Sequence, residues 1–164
     1  MTEAEQFYTA QNKLAKYDKQ SYSLTRRALK YFSDVTSEHF TLPEMVYLLR
    51  NAFKERITHS EVLGEQFMRT NTDPSSGFCL ITSYLIYSMT GGDKVWELRG
   101  ASPLHWWLVH KQTRKIFDIT YTQFKLSMVR HLYENGSVLP TKDEQFMEML
   151  KQKAHTLAHR AGLE

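Results

Sequence analysis

The feature that most constrains the fold is the run Phe78 to Met89, FCLITSYLIYSM, which is apolar on nearly every side. A run of this length, without strict alternation and without a polar stripe, is typical of a helix buried all round. Gly91 and Gly92 follow it and predict where the helix stops. Such a helix must be surrounded by other elements, so the rest of the chain has to supply a core around it.

The chain is large enough to do so. It has 164 residues, of which 41% are hydrophobic and 24% are charged, the proportions of an ordinary globular protein. A chain of this size can bury a stable core without disulfides or a structural metal. We predict one domain over residues 1–164, with a helical N-terminal part at 1–70, a central part at 75–124 and C-terminal helices at 125–160.

Helical patterns dominate the N-terminal part. Apolar residues recur at helical spacing over 3–18 and 24–35. The sequence Thr41-Leu-Pro-Glu44 combines a capping box with a proline in the first turn, which predicts a helix from there to about Ile57. Ser60 followed by Glu61 predicts another short helix to about Met68, before a turn-rich loop at 71–77.

After the two glycines the apolar period changes from helical to two, which indicates strands. A four-residue connection at 111–114 predicts a hairpin. Helical spacing returns at 122–134, and Thr141-Lys-Asp-Glu144 predicts the start of a last helix to about Ala158. The predicted class is α+β, with helices packed around a small antiparallel sheet whose strands are Lys94–Arg99, Leu104–His110 and Lys115–Thr120.

Cys79 is the only cysteine and therefore cannot form an internal disulfide. It stands in the predicted first turn of the buried helix, where unpaired backbone N–H groups and the positive helix end favour a thiolate. The loop before it ends in Ser76, Gly77 and Phe78, whose backbone N–H groups could face a developing oxyanion or a substrate. The alternative interpretation is that Cys79 is a small buried apolar residue.

The predicted hairpin brings a histidine and an aspartate together. If Lys111 pairs with Arg114, His105 faces Thr120, and Asp118 lies diagonally beside His105 on the same face of the sheet. A slip of one residue would separate them. Asp118 also lies between apolar neighbours, where an unpaired carboxylate would be costly, so it should have a partner.

Together these residues suit acyl transfer. Cys79 would attack an acyl carbon, His105 would take and return the proton, and Asp118 would hold the imidazole in the useful tautomer. Trp106 and Trp107, which follow the histidine, are candidates for substrate binding, with a core role as the alternative.

The order of a helix-borne cysteine, a strand histidine and a strand aspartate over residues 75–124 resembles the transglutaminase/arylamine N-acetyltransferase branch of the papain-like superfamily. A closer resemblance is to small bacterial YunG-like proteins, although Phe78 stands where that family often has a glutamine. The residues that carry it are Gly77-Phe-Cys79, Thr82, Gly91-Gly92-Asp-Lys94, Gly100, His105-Trp-Trp107 and Phe117-Asp-Ile-Thr-Tyr-Thr-Gln-Phe124. The resemblance implies a papain-like core and a cysteine hydrolase or acyltransferase, that is a peptidase, deamidase or amidase, acting on a protein, peptide or small amide.

Other function classes have less support. The net charge is +3 and no segment concentrates basic residues, so a nucleic-acid partner is not indicated. The chain shows neither a membrane-spanning run nor a signal peptide, which favours the cytoplasm. His155 and His159 share a helix face but have no third ligand, so neither a metal nor another cofactor is expected.

A competing interpretation is a non-catalytic interaction or inhibitor protein on a papain-like fold. In that case the N-terminal helices at 3–68 would form the surface for a protein partner.

Overall fold

A computed structural model describes residues 32, 34–64, 78–101, 105–120, 126–138 and 143–164, with the backbone alone over 126–130. The helix predicted at 3–18 lies outside these ranges, as do most of the one at 24–35 and the loop at 71–77. The described residues form five α-helices and one four-stranded antiparallel sheet, which confirms the α+β class. The helices are α1 Leu42–Phe53, α2 Arg56–Val62, α3 Cys79–Met89, α4 Leu126–Asn135 and α5 Glu144–Ala161, and the strands are β1 Trp96–Ala101, β2 His105–His110, β3 Ile116–Phe117 and β4 Ser137–Val138.

Helix α1 begins at the predicted capping box. The Thr41 hydroxyl oxygen accepts a hydrogen bond from Glu44 N at 3.3 Å and donates to Glu44 Oε1 at 3.0 Å. The predicted continuation to Ile57 is wrong, because Glu55 is extended (φ −90°, ψ 129°) and caps a new helix. This helix, α2, starts at Arg56 and ends at Val62, earlier than the predicted segment at 60–68.

Helix α3 is the central buried helix that the apolar run predicts. It packs against α5 and against β1 and β2 of the sheet, and its side chains from Ile81 to Ile86 are all buried. It stops one residue before Thr90, and Gly91 follows with φ 113°, a conformation that favours glycine. The short turn Gly92–Lys94 then leads into the sheet.

The sheet has the order β3-β2-β1-β4. Leu108 pairs with Phe117 and Val109 with Ile116, which is the register predicted for the hairpin. The His110 N–H donates to Lys115 O at 2.8 Å and closes the loop. The first strand lies two residues later than predicted, the third is shorter because the chain turns at 119–120, and β4 was not predicted.

The position of α3 predicts a large effect of truncating one of its core side chains. Leu85 is 4% exposed, so Leu85→Ala should lower the free energy of unfolding by roughly 2–5 kcal/mol through lost burial and a residual cavity. Ser88→Ala, at an exposed position on the same helix, should change it by less than about 0.5 kcal/mol. Urea unfolding of both variants measures the difference, and equal stabilities would contradict the central placement of α3.

Candidate active site

Cys79 is the first residue of α3, as the sequence predicts, and Phe78 anchors that helix end in the core. The Phe78 ring stacks on Phe53, with centroids 4.8 Å apart, and meets the His59 ring edge-on at 4.9 Å. Phe78 is fully buried, so its side chain belongs to the core, and the oxyanion role predicted for this residue would use its backbone N–H. Its packing instead fixes where Cys79 enters the helix.

The first turn of α3 presents backbone N–H groups that make no hydrogen bond within the helix. The first helical hydrogen bond runs from Thr82 N to Phe78 O at 2.8 Å. The N–H groups of residues 79–81 therefore precede the helical ladder, the usual position for binding a negative group. Ser76 and Gly77, the other predicted oxyanion residues, lie outside the described ranges.

His105 and Asp118 are in direct contact. His105 Nε2 lies 2.5 Å from Asp118 Oδ2, and the two side chains are 0% and 1% exposed. The strands position them: His105 is the first residue of β2, and Asp118 directly follows β3. The hairpin register thus places the predicted pair on the same face of the sheet and brings the two side chains together.

The Asp118 carboxylate has three further donors. The backbone N–H and the hydroxyl of Thr120 both donate to Oδ1 at 3.0 Å. The hydroxyl of Tyr133 donates to Oδ2 at 2.6 Å, so this oxygen is shared between a phenol and an imidazole. Four hydrogen bonds satisfy a buried carboxylate that would otherwise be strongly disfavoured.

Tyr133 is a site residue that the sequence analysis did not identify. It lies on α4, fifteen positions after Asp118 in the chain. The one available signal was the expectation that Asp118 needs a buried partner. That expectation could not point to a particular residue on a separate helix.

The electrostatics of His105 connect it to both other predicted site residues. Burial disfavours the imidazolium and by itself would lower the pKa of His105. The charge and hydrogen bond of Asp118 act in the opposite direction, and so, to a smaller extent, do the hydrogen bond and charge of Cys79. Together they outweigh burial and raise the pKa of His105 from 6.5 to about 10. The imidazole therefore carries its proton at neutral pH. Nε2 faces Asp118, so Nδ1 is the ring nitrogen through which a proton can pass to or from the thiol.

The two tryptophans have different surroundings. Trp107 is 1% exposed, and its ring packs edge-on against Tyr133 at 5.0 Å, which favours the core role that the sequence left as the alternative. Trp106 is only partly buried, and its side chain points to the opposite face of the sheet from His105 and Trp107. Its ring covers Gly100, where a Cβ would come within 1.9 Å of Trp106 Cε3.

The described residues contain no group of three histidine, cysteine, aspartate or glutamate side chains that could hold a metal ion. His155, one of the pair considered in the sequence, instead lies 2.7 Å from Glu164 Oε1 at the surface. Within the ranges the structure covers, no helix is both long and apolar enough to span a bilayer.

A scan against protein-family models gave no match for this chain, and neither did searches of curated proteins and of solved structures.

Proposed function

We propose that this protein is a thiol-dependent amide hydrolase or acyl transferase that works through an acyl-enzyme on Cys79. The observation that carries the proposal is the buried 2.5 Å contact of His105 Nε2 with Asp118 Oδ2, on an imidazole that also interacts with Cys79. A buried histidine that is oriented by a carboxylate and adjacent to a thiol at a helix start is the arrangement that nucleophilic catalysis requires. A cysteine or a histidine with a purely structural role would not need the Asp118 carboxylate as a partner.

In the first step the Cys79 sulfur, with its proton held on His105, attacks the carbonyl carbon of the amide. A C–S bond forms, and the carbonyl electron pair moves to oxygen. The N–H groups at the start of α3 are the donors nearest to this sulfur along the chain and would stabilise the oxyanion.

In the second step the tetrahedral intermediate collapses and the C–N bond breaks. The imidazolium gives its proton to the leaving amine, leaving a thioester and a neutral imidazole. Because the thioester carries no charge, the pKa of His105 falls at this stage and proton donation becomes easier.

In the third step the imidazole takes a proton from water or from another acceptor, which attacks the thioester and releases Cys79. Water makes the protein a hydrolase, and an amine or alcohol acceptor makes it a transferase. Asp118 keeps the ring oriented throughout.

The test is the reactivity of a single thiol. At pH 6 an ordinary cysteine is only about 0.3% thiolate, so it reacts slowly with iodoacetamide. We expect wild-type Cys79 to react much faster than this, and Cys79 in the His105→Gln variant to react at the slow rate. Mass spectrometry of the intact protein measures both rates, with Cys79→Ser as the unlabelled blank.

Cys79→Ser separates chemistry from folding. It removes little volume, so we expect a near-wild-type melting temperature together with complete loss of reaction with amide and ester probes that form a thioester. Slow labelling of the wild type, unaffected by His105→Gln, would contradict the proposal. A Cys79→Ser variant that is fully functional in the cell would favour the non-catalytic interaction protein instead.

A further inference from the structure

We infer that Tyr133 is a positioning residue of the proposed triad: its hydroxyl holds the Asp118 carboxylate against His105 and moderates how tightly that carboxylate attracts the imidazolium proton. The inference rests on the proposed function and extends its site to a fourth side chain. Tyr133 and His105 share one oxygen: Asp118 Oδ2 accepts a hydrogen bond from the Tyr133 hydroxyl at 2.6 Å and contacts His105 Nε2 at 2.5 Å.

The carboxylate is fixed at both ends. Thr120 holds Oδ1 through its backbone N–H and its hydroxyl, each at 3.0 Å, so the plane of the group is set locally by the turn after β3. A rotation of the Asp118 carboxylate about Oδ1 could keep both Thr120 hydrogen bonds and still move Oδ2 away from the imidazole. The phenol of Tyr133, which comes from a different element, is the donor that opposes this movement.

Tyr133 is itself held in place by the end of α4. Arg99 Nη2 donates to Gly136 O at 2.9 Å, and Gly100 pairs with Ser137, so the chain after α4 is attached to β1. The Trp107 ring lies directly against Gly136, where a Cβ would be only 2.3 Å from Trp107 Cζ2. The glycine lets the indole fill the space beside the Tyr133 ring.

The phenol has a definite electrostatic effect. A neutral O–H donor draws charge from Oδ2 and so weakens the attraction of that oxygen for the proton on Nε2. Removing the hydroxyl leaves His105 as the donor facing an oxygen of higher charge density. The pKa of His105 should then rise further, and proton donation to a leaving amine should become harder.

The titratable groups that act on His105 come from three directions. Asp118 follows β3, Cys79 begins α3, and Tyr133 on α4 acts through Asp118. A purely structural Tyr133 would contribute packing and one satisfied hydrogen bond without altering the titration of His105. The two roles therefore differ in a measurable quantity.

The experiment compares Tyr133→Phe with Tyr84→Phe in the full chain. Both tyrosines are 8% exposed, and the Tyr84 ring contacts Tyr87 and lies near Glu148, which makes it a matched loss of one buried-ring hydroxyl. The His105 imidazole is titrated between pH 7 and 12 by ¹⁵N NMR, with His105→Gln identifying its signals. The ratio of Cys79 alkylation by iodoacetate to that by iodoacetamide provides a second reading of the imidazolium charge.

We expect Tyr133→Phe to move the His105 midpoint upward by about one pH unit, the equivalent of one hydrogen bond to a charged group, and Tyr84→Phe to leave it in place. If Tyr133→Phe does not fold, 3-fluorotyrosine at position 133 keeps the packing and strengthens the donor. It should move the midpoint downward.

An unmoved midpoint in these variants, with wild-type Cys79 still alkylated rapidly at pH 6, would overturn the role of Tyr133 and leave the proposed function standing. Slow alkylation of the wild type would overturn the proposed function, and the inference with it.

Discussion

Replacement of Asp118 by asparagine should lower turnover on the order of 10⁴-fold, the loss found when the orienting carboxylate of a serine-protease triad is changed in this way. The geometry gives the reason. An asparagine oxygen can keep both Thr120 hydrogen bonds only if the amide nitrogen faces His105 Nε2. The imidazole must then accept at Nε2 and carry its proton on Nδ1, where it can no longer take one from the thiol.

The same variant should still fold. Asparagine has nearly the shape of aspartate and retains the acceptor for Thr120, but its amide nitrogen replaces the oxygen that both Tyr133 and His105 contact. We therefore expect a loss of roughly 1–3 kcal/mol for each of these two disturbed buried hydrogen bonds. Alkylation of Cys79 at pH 5–8 should nevertheless slow markedly. The measurements are thermal unfolding and alkylation rate on the same preparation.

A matched control is Asp93→Asn. Asp93 also accepts from a tyrosine, Tyr87, at 2.5 Å, but it is exposed and belongs to the turn before β1. It should leave alkylation of Cys79 unchanged. If Asp118→Asn and His105→Gln also left it unchanged, Cys79 would be an ordinary core residue.

The second large effect concerns stability at alkaline pH. The pKa of His105 is about 10 in the folded protein, whereas an unfolded histidine titrates near 6.5. A folded-state pKa above the unfolded value means that the proton stabilises the fold. Its contribution is complete below about pH 6.5 and is lost progressively as the pH rises to about 10, with a total on the order of a few kcal/mol.

His105→Gln removes this dependence. The difference in unfolding free energy between wild type and variant should be largest near pH 6 and should shrink steadily by pH 10. His155→Gln is the control for losing a histidine elsewhere in the chain, because that side chain is 71% exposed at the surface. Urea denaturation at one-unit pH intervals measures all three curves. Parallel curves for wild type and His105→Gln would show that the His105–Asp118 pair is not an ion pair in solution.

Several parts of this site could be predicted from the sequence because they depend on short-range geometry. The buried helix follows from twelve consecutive residues and the glycines after them. The His105–Asp118 contact follows from the alternation of side chains along two strands once the hairpin closes with Lys111 opposite Arg114, the register that the structure has.

The local sequence pattern did not predict the ends of elements that depend on the backbone conformation of one or two residues. The helix predicted from Thr41 to Ile57 is interrupted because Glu55 is extended, although nothing in the residue types of that segment marks the break. Strand β4 has only two residues, too few for a period to be recognised.

Long-range packing decided the rest. That Phe78 and Trp107 are buried depends on Phe53 and Gly136, which come from other elements, and no spacing along the chain encodes those contacts. Tyr133 reaches Asp118 from α4, which is joined to the sheet through β4 and packs against it through the Trp107 ring. A sequence can show that a buried carboxylate needs donors, because that requirement belongs to the residue itself. Which side chain supplies them is set by how separate elements pack, and so it is decided by the tertiary structure.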